Sequence, residues 1–141
     1  MNKETRNILL KSLDRLVGSW ETSDPSGADA VKGQSTFEWM EGGNFLVQHI
    51  NLSEAKGIEI IGYDEKSNSL KSHYFEGSTG KHLEYTYQLE DDTLTVSIDM
   101  PTAKGQFIGK FNDDNSEYKG RWDWMQDGKK MGFEAKMNKI K

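Results

Sequence analysis

The stretch that decides the fold is His82-Leu83-Glu84-Tyr85-Thr86-Tyr87-Gln88-Leu89-Glu90-Asp91-Asp92-Thr93-Leu94-Thr95-Val96-Ser97-Ile98-Asp99-Met100. Leu83, Tyr85, Tyr87 and Leu89 alternate with polar neighbours, and after the acidic turn Leu94, Val96, Ile98 and Met100 do the same. A period of two sends successive side chains to opposite faces of an extended chain, so each half reads as a half-buried strand with one wet face. Glu90-Asp91-Asp92 supplies the turn chemistry that folds the two halves into a hairpin.

The same grammar extends outward in both directions. Tyr118, Trp122 and Trp124 alternate with Lys119, Arg121 and Asp123, and Met131, Phe133, Ala135 and Met137 with Lys130, Glu134 and Lys136. Turn signals stand at 41–44, 65–69, 77–80, 112–115 and 126–129. They divide the chain into about ten strands, at 17–23, 33–40, 44–52, 57–64, 70–76, 81–89, 93–100, 105–111, 117–125 and 129–139. Residues 24–32 form the one long Gly/Ser/Asp-rich loop. Before the strands, Ile8, Leu9, Leu13, Leu16 and Val17 recur at helical spacing, which predicts one short amphipathic helix over about 5–16.

Consecutive hairpins with no long crossover favour an all-β, antiparallel up-and-down barrel over a sandwich, because closure removes the sheet edges. The 141 residues then make a single barrel domain, 1–141. The chain holds no cysteine, which excludes disulfides, thiolate metal sites and thiol catalysis. Its 18 basic and 23 acidic residues give a net charge of −5 without a basic cluster, so nucleic acid is not an expected partner. The N-terminus has no apolar signal-peptide core and no run spans a membrane, so the expected location is the cytoplasm.

Leu16-Val17-Gly18-Ser19-Trp20 follows the predicted helix and opens the first strand. It resembles the Gly-x-Trp entry of lipocalin-like (calycin) barrels, in which the Gly allows close backbone approach and the Trp plugs one barrel end. Gly42-Gly43-Asn44-Phe45-Leu46 after Phe37-Glu38-Trp39, and Gly57 to Asp64, are similar to small bacterial lipocalin-like proteins of a domain-of-unknown-function family. That resemblance covers most of the chain from residue 12 onward. It implies a barrel with an internal cavity and no established reaction. Nitrobindin-type haem barrels also open with Gly-x-Trp and hold iron through a His near the C-terminal end. Here no His follows His82, and Trp20 is followed by Glu21-Thr22-Ser23, so neither haem nor another cofactor is expected.

Trp39, Phe45, Tyr85, Tyr87, Phe107, Trp122, Trp124 and Phe133 all fall on the apolar parity of their strands. Such rings either fill the barrel or line a cavity. Phenol hydroxyls and indole N–H groups over a ring-lined space suit a small hydrophobic or aromatic ligand with one or two polar atoms. The residues expected to line the site are Trp39, Phe45, His49, Tyr74, Tyr85, Tyr87, Trp122 and Trp124. Phe45, Val47 and His49 are expected to face inward, although Leu46, Ile50 and Leu52 make the opposite face nearly as apolar. His82 falls on a polar face, and alternation does not choose a face for His73. No two histidines stand at metal-ligand spacing, and no metal is expected.

Glu59 interrupts the apolar run Ile58 to Ile61. The simpler pairing puts Ile58 and Ile60 inside and Glu59 in water. The reverse pairing, with Ile61 and Tyr63 inside, would bury Glu59 and raise its pKa. Two other functional readings stand beside ligand binding. One is an isomerase- or hydrolase-type enzyme with His49 or Glu59 as base and a tyrosine as proton donor. The other is a homodimer held by an outer patch of Leu46, Ile50 and Leu52, or of Ile61 and Tyr63.

Overall fold

A computed structural model describes residues 3–25, 30–101 and 103–140. The alternating segments form ten strands: β1 (Gly18–Asp24), β2 (Ala30–Trp39), β3 (Phe45–Leu52), β4 (Lys56–Asp64) and β5 (Ser69–Glu76), then β6 (His82–Glu90), β7 (Thr93–Met100), β8 (Ala103–Phe111), β9 (Glu117–Gln126) and β10 (Lys129–Lys139). Each pairs antiparallel with the next, and β1 pairs with β10, so the sheet closes into an up-and-down barrel. The expected loop over 24–32 is shorter than its composition suggests. Asp24 belongs to β1 and Ala30 to Lys32 to β2, while 26–29 lie outside the described residues.

The turns follow from local chemistry. Asn68, Asp91, Asn115 and Asp127 take left-handed φ values of 53°, 55°, 60° and 51°. Asn and Asp tolerate that region because their short polar side chains bond the local backbone.

The predicted helix is α1 (Lys3–Ser12), followed by a 3₁₀ turn over Leu13–Leu16 rather than a continuous α-helix. The tighter turn delivers Leu13 and Leu16 straight onto the barrel floor, where both are fully buried with Trp20. The Trp20 indole N–H donates to the Leu16 carbonyl at 2.8 Å, and its ring meets Tyr118 edge-on at 4.8 Å. Burying an indole of this size stabilises the fold by about 5 kcal/mol at most. Polar contacts fasten the same end. Arg15 donates to Asn115, to the Asp91 carbonyl and to Asp92, and lies 4.3 Å over the Phe111 ring. The Trp39 indole donates to Asp14 at 2.8 Å, and Arg6 donates to Asn44. One end of the barrel is therefore closed by the N-terminal segment. No helix among the described residues is long and apolar enough to cross a membrane.

The facing of β3 and β4 corrects the sequence reading. Leu46 and Ile61 are fully buried, whereas Phe45 and Ile58 are exposed on the outside. Register explains the reversal. Phe37 and Ser35 of β2 point inward, and they pair with Gln48 and Ile50 of β3, which must share their face. Outside, the Phe45 ring covers Gly62 of β4, where an added Cβ would stand 2.6 Å from the ring carbons. The glycine leaves room for the ring on the outer surface.

Candidate functional site

Above the Leu16–Trp20 floor the barrel encloses a cavity of about 270 Å³. That is near the small end of ligand sites, which run to roughly 300–1,000 Å³. Its wall is made of Phe37, Ile50, Leu94, Val96, Phe107 and Met137, with the ring system of Tyr74, Tyr85, Tyr87, Tyr118, Trp122 and Phe133. Space exists because small residues share the inward parity with the large ones. Thr22, Ser35 and Ala135 line it directly. Gly109 is equally informative, since an added Cβ there would stand 2.7 Å from the Phe107 ring folded over it. The Phe107 ring thus lies over bare backbone.

Glu59 sits in this wall, 4% exposed. β4 carries it inward on the same face as Ile61, between Gln48 of β3 and Tyr74 of β5. Its two oxygens have one donor each: Ser72 Oγ to Oε2 at 2.6 Å and Tyr87 Oη to Oε1 at 2.7 Å. Burial pushes the carboxyl pKa up, and the bonds from Ser72 and Tyr87 only partly oppose this. The charge in turn acts on the phenols. Desolvation and then Glu59 raise Tyr85 to about 12, and the same two causes raise Tyr87 and Tyr118 well above their ordinary value. Among the described residues that line the cavity, Glu59 alone can carry charge near neutral pH, and none is Lys or Arg.

The hydroxyls differ in use. Tyr87 is committed to Glu59 and Tyr74 donates to Glu76 at the open end, at 3.0 Å. Tyr85 and Tyr118 have no hydrogen-bond partner among the described residues, yet neither hydroxyl is sealed from the cavity. With the side chains of Thr22, Ser35 and Gln48 and the Trp122 indole N–H, they are polar groups of the wall with no partner among the described residues. Glu76 closes its own ring outside: it accepts from the Lys56 amide at 2.7 Å and from the Ser78 amide at 2.9 Å, and its pKa falls to about 2, mainly through the Lys56 bond.

Of the residues expected to line the site, Tyr74, Tyr85, Tyr87 and Trp122 do face the cavity. Trp39 lies at the closed end, packed against the core and bonded to Asp14. Trp124 stands at the opposite rim, edge-on to Phe133 at 5.7 Å. Phe45 and His49 correct the expectation, because β3 turns them to the outer surface, where His49 lies 3.5 Å from Glu38. Glu59 corrects it in the other direction, since it is buried rather than wet. The residues proposed as a dimer patch, Leu46, Ile50, Leu52 and Ile61, point into the barrel, and Tyr63 packs against the core.

His73 and His82 are also outside, with ring nitrogens 3.2 Å apart, and His82 stacks on Phe75. Among the described residues no group of three or more His, Asp or Glu is arranged to hold a metal ion.

Sequence reasoning left Ser72, Gln48 and Tyr118 off the candidate site. Ser72 had one available signal: it is the small polar residue on the parity of Leu70 and Tyr74, where an apolar filler would otherwise stand. No protein-family model matches the chain, and no curated protein matches it.

Proposed function

We propose that this protein, like the lipocalin-like barrels its first strand resembles, binds a small hydrophobic or aromatic molecule inside the barrel. The observation that carries the reading is the cavity of about 270 Å³ walled by rings and aliphatic side chains. Among its polar groups are the Glu59 carboxyl, the hydroxyls of Tyr85 and Tyr118, and the Gln48 amide on the strand beside Glu59. Apolar burial supplies affinity, and these groups orient the guest. The test is titration with the neutral fluorophore N-phenylnaphthylamine, whose emission rises in apolar surroundings. One probe per barrel is expected, and Ala135→Phe, which projects a ring into the cavity, removes the signal while the variant keeps its β circular dichroism. Absence of binding by the folded wild-type protein overturns the reading.

The contact of Glu59 with Tyr87 favours a second reading, in which the cavity is a reaction chamber. Ionised Glu59 would take a proton from carbon beside a substrate carbonyl and return it to another carbon, with Tyr85 donating to the carbonyl oxygen. His49 has no part in it, being outside. Deuterium incorporation from heavy water into a small bound ketone, lost in Glu59→Gln, would support this reading, and a ketone that binds without exchange would refute it.

A further inference from the structure

The cavity holds a buried carboxyl group and, among the described residues, nothing to neutralise it. Every other lining residue is neutral near pH 7: aliphatic, aromatic, hydroxyl or amide. A buried carboxylate with no counter-ion is costly, so burial favours the protonated form in the free protein. The hydrogen bonds, however, are arranged for the ionised form. Ser72 and Tyr87 each donate to a different oxygen of Glu59, and a carboxylate has about four acceptor positions. Two positions are therefore left for a guest. The same cavity is lined by the rings of Tyr74, Tyr85 and Trp122, whose faces attract cations, and by the Tyr85 hydroxyl, which can accept a further bond.

We infer that the guest carries a protonated amine on an apolar or aromatic body, and that its ammonium group pairs with Glu59 inside the barrel. This rests on the ligand-binding reading above and specifies its chemistry. A buried ion pair is favourable only when further hydrogen bonds stabilise it. Here Ser72 and Tyr87 already hold the carboxylate, so the guest meets a preorganised acceptor. Below the Glu59 pKa binding is an exchange: one ammonium enters, the Glu59 proton leaves to solvent, and the interior stays neutral overall. An anionic guest such as a fatty acid meets no cation in the wall and is repelled by the carboxylate. A neutral guest leaves the proton in place.

The exchange makes affinity depend on pH. The titratable groups facing Glu59 are Tyr74 of β5, Tyr85 and Tyr87 of β6 and Tyr118 of β9. All four stay protonated through neutral pH, because burial raises each of them. Glu76 bonds Tyr74 from the rim and stays ionised. Glu59 is therefore the group that competes with the amine. Below its pKa in the free protein, affinity for the amine falls by about tenfold per pH unit.

The experiment uses three probes of one shape: naphthylmethylamine, naphthylmethanol and naphthoate, titrated calorimetrically into the whole chain. The expected result is amine binding roughly 10- to 100-fold tighter than alcohol binding, with naphthoate weakest. Glu59→Gln keeps the shape and should bring amine and alcohol to similar affinities. A second measurement needs no variant. Titration in two buffers of different ionisation enthalpy should show a proton released with the amine below the Glu59 pKa and none with the alcohol. If the alcohol binds as tightly as the amine, or if no proton is released at any pH, the inference falls while the cavity reading stands. If N-phenylnaphthylamine binds and the amine does not, the result is the same. If none of the probes binds, both fall.

Discussion

Glu59→Gln should gain stability relative to the wild-type protein as pH rises from acid toward neutral. The carboxyl is buried, and desolvation raises its pKa above the unfolded value of 4.5. Between 4.5 and its higher folded value the native state keeps a proton that the unfolded chain has released. Stability then falls as pH rises, because the native state binds more protons than the unfolded one. The loss is about 1.4 kcal/mol for each pH unit separating the two pKa values, and it levels off above the folded one.

Glutamine cannot ionise, and its carbonyl can still accept from Ser72 or Tyr87. Its amide N–H₂ adds two donors to a site built from donors, which costs about 1 kcal/mol at every pH. The difference curve is thus a small constant offset in acid, then a rise in favour of the variant above 4.5. Groups common to both proteins, such as Glu76, Asp64 and Asp114, cancel in the difference. The raised tyrosines do not ionise until well above neutral pH. Urea denaturation of both proteins from pH 4 to 9 measures it. A pH-independent difference would refute the reasoning. A wild-type advantage growing with pH would reverse it, because the bonds from Ser72 and Tyr87 would then outweigh burial.

Three further outcomes follow from the same geometry. Arg15→Ala removes bonds from the closed end to Asn115, Asp91 and Asp92 and a stacked guanidinium, and should cost about 2 kcal/mol in urea denaturation. A loss below 0.5 kcal/mol would show that burial alone closes that end. Glu76→Gln should speed hydrogen exchange at the amides of Lys56, Ser78 and Thr79, which bond to its carboxylate. Because the folded pKa is lowered to about 2, wild-type protection of these amides should hold above the ordinary carboxyl value of 4.5 and fade as pH drops toward 2. Unchanged exchange in the variant would count against the Glu76 ring. Finally, His49→Ala should change N-phenylnaphthylamine affinity by less than about twofold, since its ring lies outside the barrel. A larger loss would mean that β3 faces the other way.

The cavity is a consequence of uneven packing more than of its rings. An aromatic barrel with large residues at every inward position would be solid, because rings from facing strands would meet. Ser35, Ser72, Gly109 and Ala135 prevent this by leaving inward positions without bulk. The same choice makes room for a carboxyl group, as Ser72 is both small and able to donate to Glu59. Shape and polarity of the site come from the same residues.

Much of this was legible in the chain alone. Alternation over 82–100 determined two strands and their facing, since only one parity is apolar. The turn residues set the strand count, and the absence of crossovers set the up-and-down order that closure completes. Four wall residues, Tyr74, Tyr85, Tyr87 and Trp122, could likewise be placed beforehand. The facing of β3 and β4 could not. Both parities there are apolar, Phe45 and Val47 against Leu46 and Ile50, Ile58 and Ile60 against Ile61 and Tyr63. A period of two says which residues share a face but not which face lies inside. That was decided by pairing with β2, whose Phe37 and Ser35 point inward, and by Gly62 making room for the Phe45 ring outside. One residue of register carries Glu59 from solvent to the cavity wall, so the chemistry of the site rests on the step that only the closed sheet resolves.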